Sequence, residues 1–230
     1  MKAMILAAGR GERLRPLTAQ LPKALVAVAG RPLIAWQLER LARAGFHEVV
    51  INVSWLGEAI VERLGDGAAF GLAIAYSREA EPLESAGGIA QARRLLGEAP
   101  FALVNADIWC DYDLGRLRGR RLGRDLAHLV LTPNPAHHPA GDFSLDGDRA
   151  GNAAAPRYTY TGISLIDPAL VAPVASGAKA PLAPLLRAAA DAGRLSGELH
   201  AGLWRDAGTA ERLAELETLV AEGGRRTLQT

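Results

Sequence analysis

The spacing of apolar residues through the first half of the chain predicts strands that alternate with helices. Lys2–Ala7 is almost continuously apolar, which is typical of a strand buried on both faces. From Pro32 to Gly45 the apolar residues recur at helical spacing, and proline suits the first turn of a helix as glycine suits its end. The same criteria predict strands at Val49–Val53, Leu72–Tyr76 and Phe101–Asn105, and helices at Glu58–Leu64 and Gly88–Leu96. Because strands that alternate with helices pair in parallel through right-handed crossovers, we expect an open α/β sheet.

The second half of the chain is less regular. Strands are predicted at Ala127–Leu131 and Tyr158–Ile166, and the loop-rich stretch between them is expected to hold one short strand near Phe143–Leu145. Helices are predicted at Leu182–Ala192 and Ala210–Glu222. No repeat or linker divides the sequence, so we expect one domain over residues 1–222 and a frayed tail over residues 223–230.

Composition is that of an ordinary globular protein. Of the 230 residues, 49% are hydrophobic and 22% are charged, which excludes a disordered or collagen-like chain. The formal net charge of +1 argues against a nucleic-acid-binding protein, since such proteins carry a large basic excess. The single cysteine, Cys110, excludes a disulfide framework and a cysteine-based zinc site. Because the apolar stretches are too short for a signal peptide or a membrane span, we expect a cytoplasmic monomer or small homo-oligomer without membrane contact.

The strongest chemical signal follows the first predicted strand, in the run Ala7-Ala8-Gly9-Arg10-Gly11-Glu12-Arg13-Leu14-Arg15-Pro16-Leu17-Thr18. Glycines directly after a buried strand let backbone N–H groups turn toward phosphate oxygens. Leu14 stands where a dinucleotide-binding fingerprint has its third glycine, and no G-K-[ST] follows as in a P-loop. A tight structural loop is the alternative, but the three arginines of the run and Lys23 just beyond it favour a polyphosphate site.

This run and the following Leu21-Pro22-Lys23 resemble the G-x-G-x-R-(M/L)-x-P-x-T…P-K signature of the sugar-1-phosphate nucleotidylyltransferases. Every fixed position is filled, by Gly9, Gly11, Arg13, Pro16, Thr18, Pro22 and Lys23. The resemblance implies a Rossmann-like three-layer α/β fold with a mixed, mostly parallel central sheet. The nucleotide-binding residues that it implies here are Ala7, Ala8, Gly9 and Gly11. Arg13 and Lys23 would be catalytic, holding the triphosphate and stabilising charge on the reacting phosphates; the alternative is that both are ordinary surface charges.

A second block, Glu81-Pro82-Leu83-Glu84-Ser85-Ala86-Gly87-Gly88, resembles the E-x-L-G-T-A-G loop with which the family reads the base. The resemblance implies that Glu81, Gly87 and Gly88 bind the nucleotide, with the glycines allowing a close approach of the backbone. The match is partial, because Glu84 replaces the usual glycine and Ser85 the usual threonine. The alternative is a simple turn in which Ser85 is a helix N-cap.

Two aspartates are candidate metal ligands. Asp107 lies just beyond the fourth predicted strand, where ligands of open α/β sheets bind. Asp206 lies in a segment that resembles the family's W-x-D-x-G-T motif, Trp204-Arg205-Asp206-Ala207-Gly208-Thr209. The resemblance implies that both hold Mg²⁺, a hard ion that takes carboxylates, phosphates and water. Taken alone, either aspartate could cap a turn or helix, although Thr209 is the better cap for the last helix. Asp111 and Asp113 are interpreted as turn or cap residues.

The resemblance covers nearly the whole chain and also implies a site for the sugar phosphate. The residues that it assigns to this site are Asn105, Asp142, Thr161 and Gly162. One departure is the missing E-K-P segment, whose lysine contacts the sugar phosphate in many relatives. His137, His138 and Arg157 lie in the irregular second half and are candidate donors to an anionic sugar, although such histidines are more often plain loop residues.

The implied reaction is nucleotidyl transfer from UTP to a sugar-1-phosphate, with Mg²⁺ as cofactor and pyrophosphate as the second product. Within the family, the resemblance is strongest to short uridylyltransferases of cell-wall recycling, which implies N-acetylmuramic acid α-1-phosphate as the sugar substrate. Thymidylyl-, guanylyl- and cytidylyltransferases are the alternatives within the family. A non-catalytic module that senses sugar nucleotides is the alternative of another class. Such a module would be expected to lack Arg13, Lys23 or one of the two aspartates, and this chain retains them.

Overall fold

The computed structural model describes residues 1–153 and 155–227, with side chains described as far as residue 221. The strands are β1 (Ala3–Leu6), β2 (Ala27–Val28), β3 (Arg31–Pro32), β4 (Glu48–Val53), β5 (Ala73–Arg78), β6 (Phe101–Asn105), β7 (Ile108–Cys110), β8 (Ala127–Thr132), β9 (Phe143–Asp146), β10 (Arg149–Gly151), β11 (Arg157–Ile166), β12 (Leu195–Leu199) and β13 (Trp204–Asp206). The α-helices are α1 (Leu33–Arg43), α2 (Gly57–Leu64), α3 (Glu84–Leu96), α4 (Gly115–Gly119), α5 (Ala183–Asp191) and α6 (Ala210–Thr227).

Nine strands form the central sheet, in the order β5-β4-β1-β6-β11-β8-β12-β10-β9. Strands β5, β4, β1 and β6 are parallel, so their carboxyl ends meet at one edge of the sheet. In this register Leu6 of β1 pairs with Asn52 of β4 on one side and with Asn105 of β6 on the other. Two polar residues therefore flank the point at which β1 leaves the sheet, which is where open α/β sheets bind ligands.

The sheet is mixed, as predicted, but parallel pairing dominates only its first half. In the second half β12 and β8 are parallel, whereas β11 is antiparallel to β6, β8 and β9, and β10 is antiparallel to β9 and β12. The reason is the length of the connections. A short turn at Gly147, with φ +57, joins β9 to β10, and such a turn can join only antiparallel strands. The expectation of a mostly parallel sheet therefore holds for β5, β4, β1 and β6 and for the β8–β12 pair.

Helices cover both faces of the sheet and complete the three layers. On one face, Ile5 of β1 packs in a core cluster with Leu38 of α1. On the other face, Met4 of β1 belongs to a second cluster with Ile89 of α3. Because successive side chains of a strand point to opposite faces, a strand with a helical layer on each side needs apolar residues at every position. This explains the uninterrupted apolar run that opens the sequence.

Most predicted helices and strands are confirmed with their ends shifted by no more than two residues. Helix α3 begins at Glu84, one turn before the predicted Gly88, and α6 ends at Thr227, five residues beyond the predicted Glu222. Extending a formed helix is easier than starting one, which accounts for the longer α6. The first part of the expected frayed tail is therefore helical, and residues 228–230 lie outside the described residues. Among the described helices, none combines the length and apolar character needed to cross a membrane.

Candidate active site

A cleft of about 920 Å³ opens at the carboxyl ends of β1, β4 and β6. Its volume is within the usual range for small-molecule sites. The residues predicted from the sequence that line it are Ala7, Ala8, Gly9, Gly11, Arg13, Lys23, Glu81, Asn105 and Asp107. The fold thus brings the nucleotide-binding loop, both predicted catalytic residues and one predicted metal ligand to a single cleft.

The segment after β1 is a loop folded back on Thr18. Gly11 has φ +63, in the left-handed region that glycine adopts without strain, and a Cβ there would lie 2.9 Å from Thr18 Cγ2. The buried Thr18 donates its hydroxyl hydrogen to the Gly11 carbonyl at 2.7 Å. Two positions of the sequence signature, Gly11 and Thr18, therefore shape the loop.

Gly9 has the opposite surroundings. A Cβ built on Gly9 meets no heavy atom within 4 Å, and the residue lies outside the left-handed region. Since Gly9 lines the cleft, its missing side chain leaves room for a ligand at the backbone. The first signature glycine is thus explained by space in the cleft and the second by backbone conformation.

The substitutions Gly9→Ala and Gly11→Ala should separate binding from folding. Gly11→Ala places a Cβ in the left-handed region and against Thr18, so the free energy of unfolding should fall by about 1–3 kcal/mol. Gly9→Ala should leave stability unchanged and weaken binding of a nucleoside triphosphate several-fold, because its methyl group occupies cleft space. Urea unfolding and equilibrium titration measure the two effects. Unchanged nucleotide affinity in Gly9→Ala would show that no ligand approaches this backbone.

Lys23 and Asp107 form an ion pair inside the cleft. The Lys23 Nζ donates to the Asp107 Oδ2, and the two side chains are 13% and 32% exposed. The two residues are 84 positions apart, and Lys23 follows the loop after β1 whereas Asp107 follows β6. The adjacent carboxyl ends of the parallel strands β1 and β6 bring them together.

The backbone joins the two aspartate segments. Strand β13 pairs with β7 so that Asp206 lies opposite Ile108, the residue after Asp107. The Ala207 amide donates to the Asp107 carbonyl at 2.8 Å. Gly208, two residues beyond Asp206, lines the cleft. The two predicted metal ligands therefore lie in neighbouring, paired segments, but only Asp107 is among the described residues that line the cleft, and Asp206 is not.

The Asp206 carboxylate is held by neighbouring donors. Its Oδ1 accepts a hydrogen bond from the Gly208 amide at 2.8 Å. Its Oδ2 accepts from Arg212 Nη1 at 3.0 Å and lies 3.2 Å from His137 Nε2. The cap of α6 is Thr209, as expected, because its Oγ1 accepts from the Arg212 amide at 3.4 Å. Asp206 is therefore not needed as the cap of α6.

The other two aspartates of this region have ordinary structural contacts. Asp113 Oδ1 accepts from the amide of Gly115 at 2.9 Å, and because the N-cap of α4 is Leu114, this contact agrees with the interpretation of Asp113 as a turn residue. Asp111 Oδ1 lies 2.7 Å from His200 Nε2, so this aspartate pairs with a histidine.

Gly87 and Gly88 have a packing role that differs from the predicted contact with a base. Both are buried in α3, and neither is among the described residues that line the cleft. A Cβ on Gly87 would lie 2.4 Å from the Ala178 carbonyl oxygen, and the Gly87 amide donates to the Ala180 carbonyl at 3.0 Å. A Cβ on Gly88 would lie 2.7 Å from Asn52 Nδ2. The missing side chains of these glycines thus make room for neighbouring atoms of the protein itself. Within the same block, Glu81, Glu84 and Ser85 line the cleft.

Ser85 is not the N-cap of α3. The N-cap is Leu83, and Ser85 Oγ accepts a hydrogen bond from the Leu182 amide at 3.1 Å, across 97 residues of sequence. The alternative of a local helix cap at Ser85 is therefore wrong. Its side chain instead ties α3 to the start of α5.

Of the four residues predicted to bind the sugar phosphate, Asn105 lines the cleft. Gly162 lies behind it, at a register shift in β11 with φ +81, where a Cβ would lie 2.6 Å from Asn105 Nδ2. Thr161 is buried and donates its hydroxyl hydrogen to the Val130 carbonyl at 2.7 Å. Thr161 and Gly162 therefore shape the strand against which Asn105 packs.

Asp142 organises the loop before β9. Its Oδ2 accepts from the Tyr160 amide at 2.8 Å and its Oδ1 lies 3.1 Å from His138 Nε2. The Asp142 carbonyl accepts from the Arg157 guanidinium. Asp142 is outside the described lining of the cleft, so these contacts indicate a structural role in place of the predicted contact with the sugar phosphate. They also occupy His138 and Arg157, the candidate donors to an anionic sugar.

Asn52 and Lys179 are polar residues of the cleft lining that lie outside every motif identified in the sequence. Asn52 interrupts the apolar run of β4 near its carboxyl end, at the level of Leu6 and Asn105, and this signal could have identified it. Lys179 lies in a loop without a motif and contacts Glu84 at 3.6 Å. Its place in the cleft depends on the long-range packing of its loop against α3.

Opposite charges balance in the lining of the cleft. The charged residues are four cations, Arg10, Arg13, Lys23 and Lys179, and four acids, Glu12, Glu81, Glu84 and Asp107. Two of the acids are already paired, Asp107 with Lys23 and Glu84 with Lys179. The described side chains therefore supply no net positive charge to a polyphosphate. Backbone N–H groups or added cations must neutralise part of such a ligand.

Comparison with known proteins agrees with this geometry. Residues 2–124, more than half of the chain, match the family model described as nucleotidyl transferase. The chain belongs to this family. It is 49% identical to the N-acetylmuramate alpha-1-phosphate uridylyltransferase of Neisseria meningitidis serogroup B, over 96% of this chain and 98% of that protein. It is 32% identical to the glucose-1-phosphate thymidylyltransferase of Streptomyces griseus, over 96% of this chain and 66% of that protein.

A solved structure shows the same fold in the nucleotidyl transferase family. It is a Bacillus anthracis protein assigned as a glucose-1-phosphate thymidylyltransferase, with a TM-score of 0.85, 21% sequence identity, and coverage of 95% of this chain and 94% of that one. The membership of the sugar-1-phosphate nucleotidylyltransferases and the mixed α/β fold inferred from the sequence are confirmed. The role of each residue in the cleft is inferred from its position and its contacts in this structure.

Proposed function

We propose that this enzyme transfers a uridylyl group from UTP to N-acetylmuramic acid α-1-phosphate. The observation that carries the proposal is a single cleft lined by four residues of the phosphate-loop signature, Gly9, Gly11, Arg13 and Lys23, with Lys23 placed against Asp107. The choice of substrates follows the relative that is 49% identical over almost its whole length. Full-length similarity of that degree supports a shared substrate pair better than the 32% identity to the thymidylyltransferase does.

The reaction needs positioning more than a protein nucleophile. An oxygen of the sugar phosphate is already anionic and attacks the α-phosphorus of UTP in line; the bond to the β-phosphate oxygen breaks and pyrophosphate leaves. The loop at Gly9 would hold the phosphates by backbone N–H groups, with Arg13 on the leaving phosphates and Lys23 beside the reacting ones. Preorganised donors of this kind stabilise the charge that develops in the transition state.

A divalent cation fits the carboxylate oxygens of the cleft and of the segment paired beside it. Asp107 and Asp206 would hold Mg²⁺, since hard carboxylate oxygens together with substrate phosphates are its usual ligands. Their segments are joined by the hydrogen bond between the Ala207 amide and the Asp107 carbonyl. The balanced charge of the lining supports the same conclusion, because the cleft itself offers no excess cation to a triphosphate. When bound, the ion would neutralise phosphate charge.

The sugar end of the site would accommodate a second anion, the lactyl carboxylate. Burying a carboxylate without a partner is costly, so donors are expected there. Of the three candidates, His138 and Arg157 are bonded to Asp142, whereas the His137 Nε2 lies 3.2 Å from Asp206, next to the proposed metal site. We also propose a cytoplasmic location, as suits an enzyme that consumes UTP, and a monomer or small homo-oligomer.

A competition assay tests the substrate pair. N-acetylmuramic acid α-1-phosphate and glucosamine-1-phosphate are supplied at equal concentration, with UTP and then with dTTP, GTP and CTP in separate reactions, and the sugar nucleotides formed are quantified. We expect UDP-N-acetylmuramic acid to dominate. Preference for glucosamine-1-phosphate, or for another triphosphate, would contradict the proposed substrate pair but would still agree with nucleotidyl transfer. Glucose-1-phosphate with dTTP is included because of the Streptomyces griseus relative.

A further inference from the structure

A chain of hydrogen bonds ties the two loops of the cleft together. Strand β1 pairs with β4 as far as Leu6 and Asn52, so the Ala7 amide is the next donor beyond the ladder. This amide donates to Asn52 Oδ1 at 2.8 Å. Asn52 Nδ2 donates to Glu79 Oε1 at 2.7 Å, and Glu79 Oε2 accepts from the Leu83 amide at 2.9 Å. The start of the phosphate loop is thereby linked to the start of α3.

The Glu79 carboxyl, which joins these two segments, is buried, and its burial opposes folding. It is 6% exposed, and among the ion pairs of the described residues none includes it. Burial raises the pKa of its carboxyl, against which the hydrogen bonds from Leu83 and Asn52 act. A buried carboxylate without a cation opposes folding unless its oxygens are hydrogen-bonded. Here both Glu79 carboxylate oxygens accept a hydrogen bond, Oε1 from the Asn52 side chain and Oε2 from the Leu83 amide.

The Asn52 amide can adopt only one orientation. Its oxygen must face the Ala7 amide and its nitrogen must face the Glu79 carboxylate, because the reverse would oppose two donors and two acceptors. Gly88 packs directly on this pair, where a Cβ would lie 2.7 Å from both Asn52 Nδ2 and Glu79 Oε1. The second hydrogen on Nδ2 has no acceptor among the described residues, and Asn52 lines the cleft.

We propose that Asn52 donates this hydrogen to the nucleoside part of the bound triphosphate, and that Glu79 is the positioning residue that fixes its direction. Asn52 lies on the cleft wall between Ala7, at the start of the phosphate loop, and Glu79, which accepts from Leu83 beside the Glu81–Ser85 segment. A neutral N–H donor matches the carbonyl oxygens of a base or the hydroxyl oxygens of a ribose. The inference rests on the proposed function for the nucleotide and is independent of the sugar.

The test compares UTP with inorganic tripolyphosphate, which has the phosphates and lacks the nucleoside. Equilibrium titration in the presence of Mg²⁺ is carried out on wild type, Asn52→Ala, Glu79→Gln and the double variant. Asn52→Ala should weaken UTP binding roughly fivefold to tenfold, as expected for one lost hydrogen bond, and leave the affinity for tripolyphosphate unchanged. Glu79→Gln should weaken UTP binding in the same way. The double variant should bind UTP no more weakly than Asn52→Ala alone, because the two residues act through one contact.

Asp125→Asn is the matched control. Asp125 is also a buried carboxylate, but it pairs with Arg149 at 2.8 and 3.0 Å and is outside the lining of the cleft. This variant should be less stable and bind UTP normally. Asn52→Ser replaces Asn52→Ala if the latter does not fold. Equal loss of affinity for UTP and tripolyphosphate, or no loss for either, would overturn the inference.

The outcomes for wild type separate this inference from the proposed function. If wild type binds another nucleoside triphosphate in place of UTP, the uridylyl proposal fails, and the same comparison is made with that triphosphate. If wild type binds no nucleoside triphosphate, both proposals fail.

Discussion

Replacing Lys23 by alanine should lower kcat about 100-fold while the chain still folds. The ammonium group lies in the cleft against Asp107, so its removal takes a cation from the reacting phosphates and leaves that carboxylate unpaired. Loss of one preorganised donor in comparable sites raises the barrier by about 2–4 kcal/mol, which is roughly 30- to 1,000-fold in rate. The rate of pyrophosphate release at saturating substrates measures the effect. Circular dichroism and the unfolding midpoint confirm the fold.

Two further variants define what Lys23 does. Lys2→Ala is the matched control, because Lys2 contacts Glu48 at 3.4 Å on the surface and is outside the lining of the cleft; its rate should be that of wild type. Lys23→Arg keeps the charge and replaces the compact ammonium by a planar group, so it should recover part of the rate. A near-normal kcat in Lys23→Ala would remove Lys23 from the catalytic residues.

The phosphate loop could be predicted because its information is local. The apolar run of β1 fixes a buried strand, and the residues that follow must leave the sheet at its carboxyl edge. Gly11, Thr18 and Lys23 lie within fifteen residues of one another, so their shared role is visible in one segment. The same reasoning placed Asp107 at this edge, two residues beyond the apolar strand β6, where it lines the cleft.

The glycines of α3 show where such reasoning fails. From the sequence, Gly87 and Gly88 have room for a ligand. In the structure that room is occupied, by the Ala178 carbonyl at Gly87 and by Asn52 at Gly88. Both neighbours lie far away in the sequence, so no local sequence pattern predicts these contacts. A missing Cβ shows only that something approaches closely, and the fold decides whether it is a ligand or the protein itself.

The second half of the chain was harder to predict for the same physical reason. Strands β7 and β13 have three residues each, too few to show an alternating pattern, and each is stabilised mainly by the other. Their pairing is what joins the Asp206 segment to Asp107. Ser196 and Gly197 interrupt the apolar pattern of β12. This strand nevertheless pairs in parallel with β8. Long-range pairing therefore determines the part of the site that local patterns leave undefined.

Replacing Asp206 by asparagine should raise the Mg²⁺ concentration needed for half-maximal rate at least tenfold, and Asp107→Asn should act in the same direction. An amide oxygen is a weaker ligand for a hard cation than a carboxylate is. Asparagine can still accept the hydrogen bond from the Gly208 amide, so the loop should keep its shape. Arg212 loses its anionic partner, which leaves a positive charge uncompensated where the cation is expected and opposes its binding further. Initial rates measured across a series of Mg²⁺ concentrations give the shift.

Asp111→Asn serves as the control for the metal experiment, because Asp111 flanks β7 at the opposite end from Asp107, pairs with His200 and is outside the lining of the cleft. Its Mg²⁺ dependence should be that of wild type. EDTA should abolish wild-type activity, and excess Mg²⁺ should restore it. A rate that persists in EDTA would remove the metal from the mechanism. A different result would be an unchanged Mg²⁺ dependence in both Asp107→Asn and Asp206→Asn, with activity still lost in EDTA. It would mean that the substrate phosphates and other residues hold the ion. The ion pair of Asp206 with Arg212 would then have a structural role.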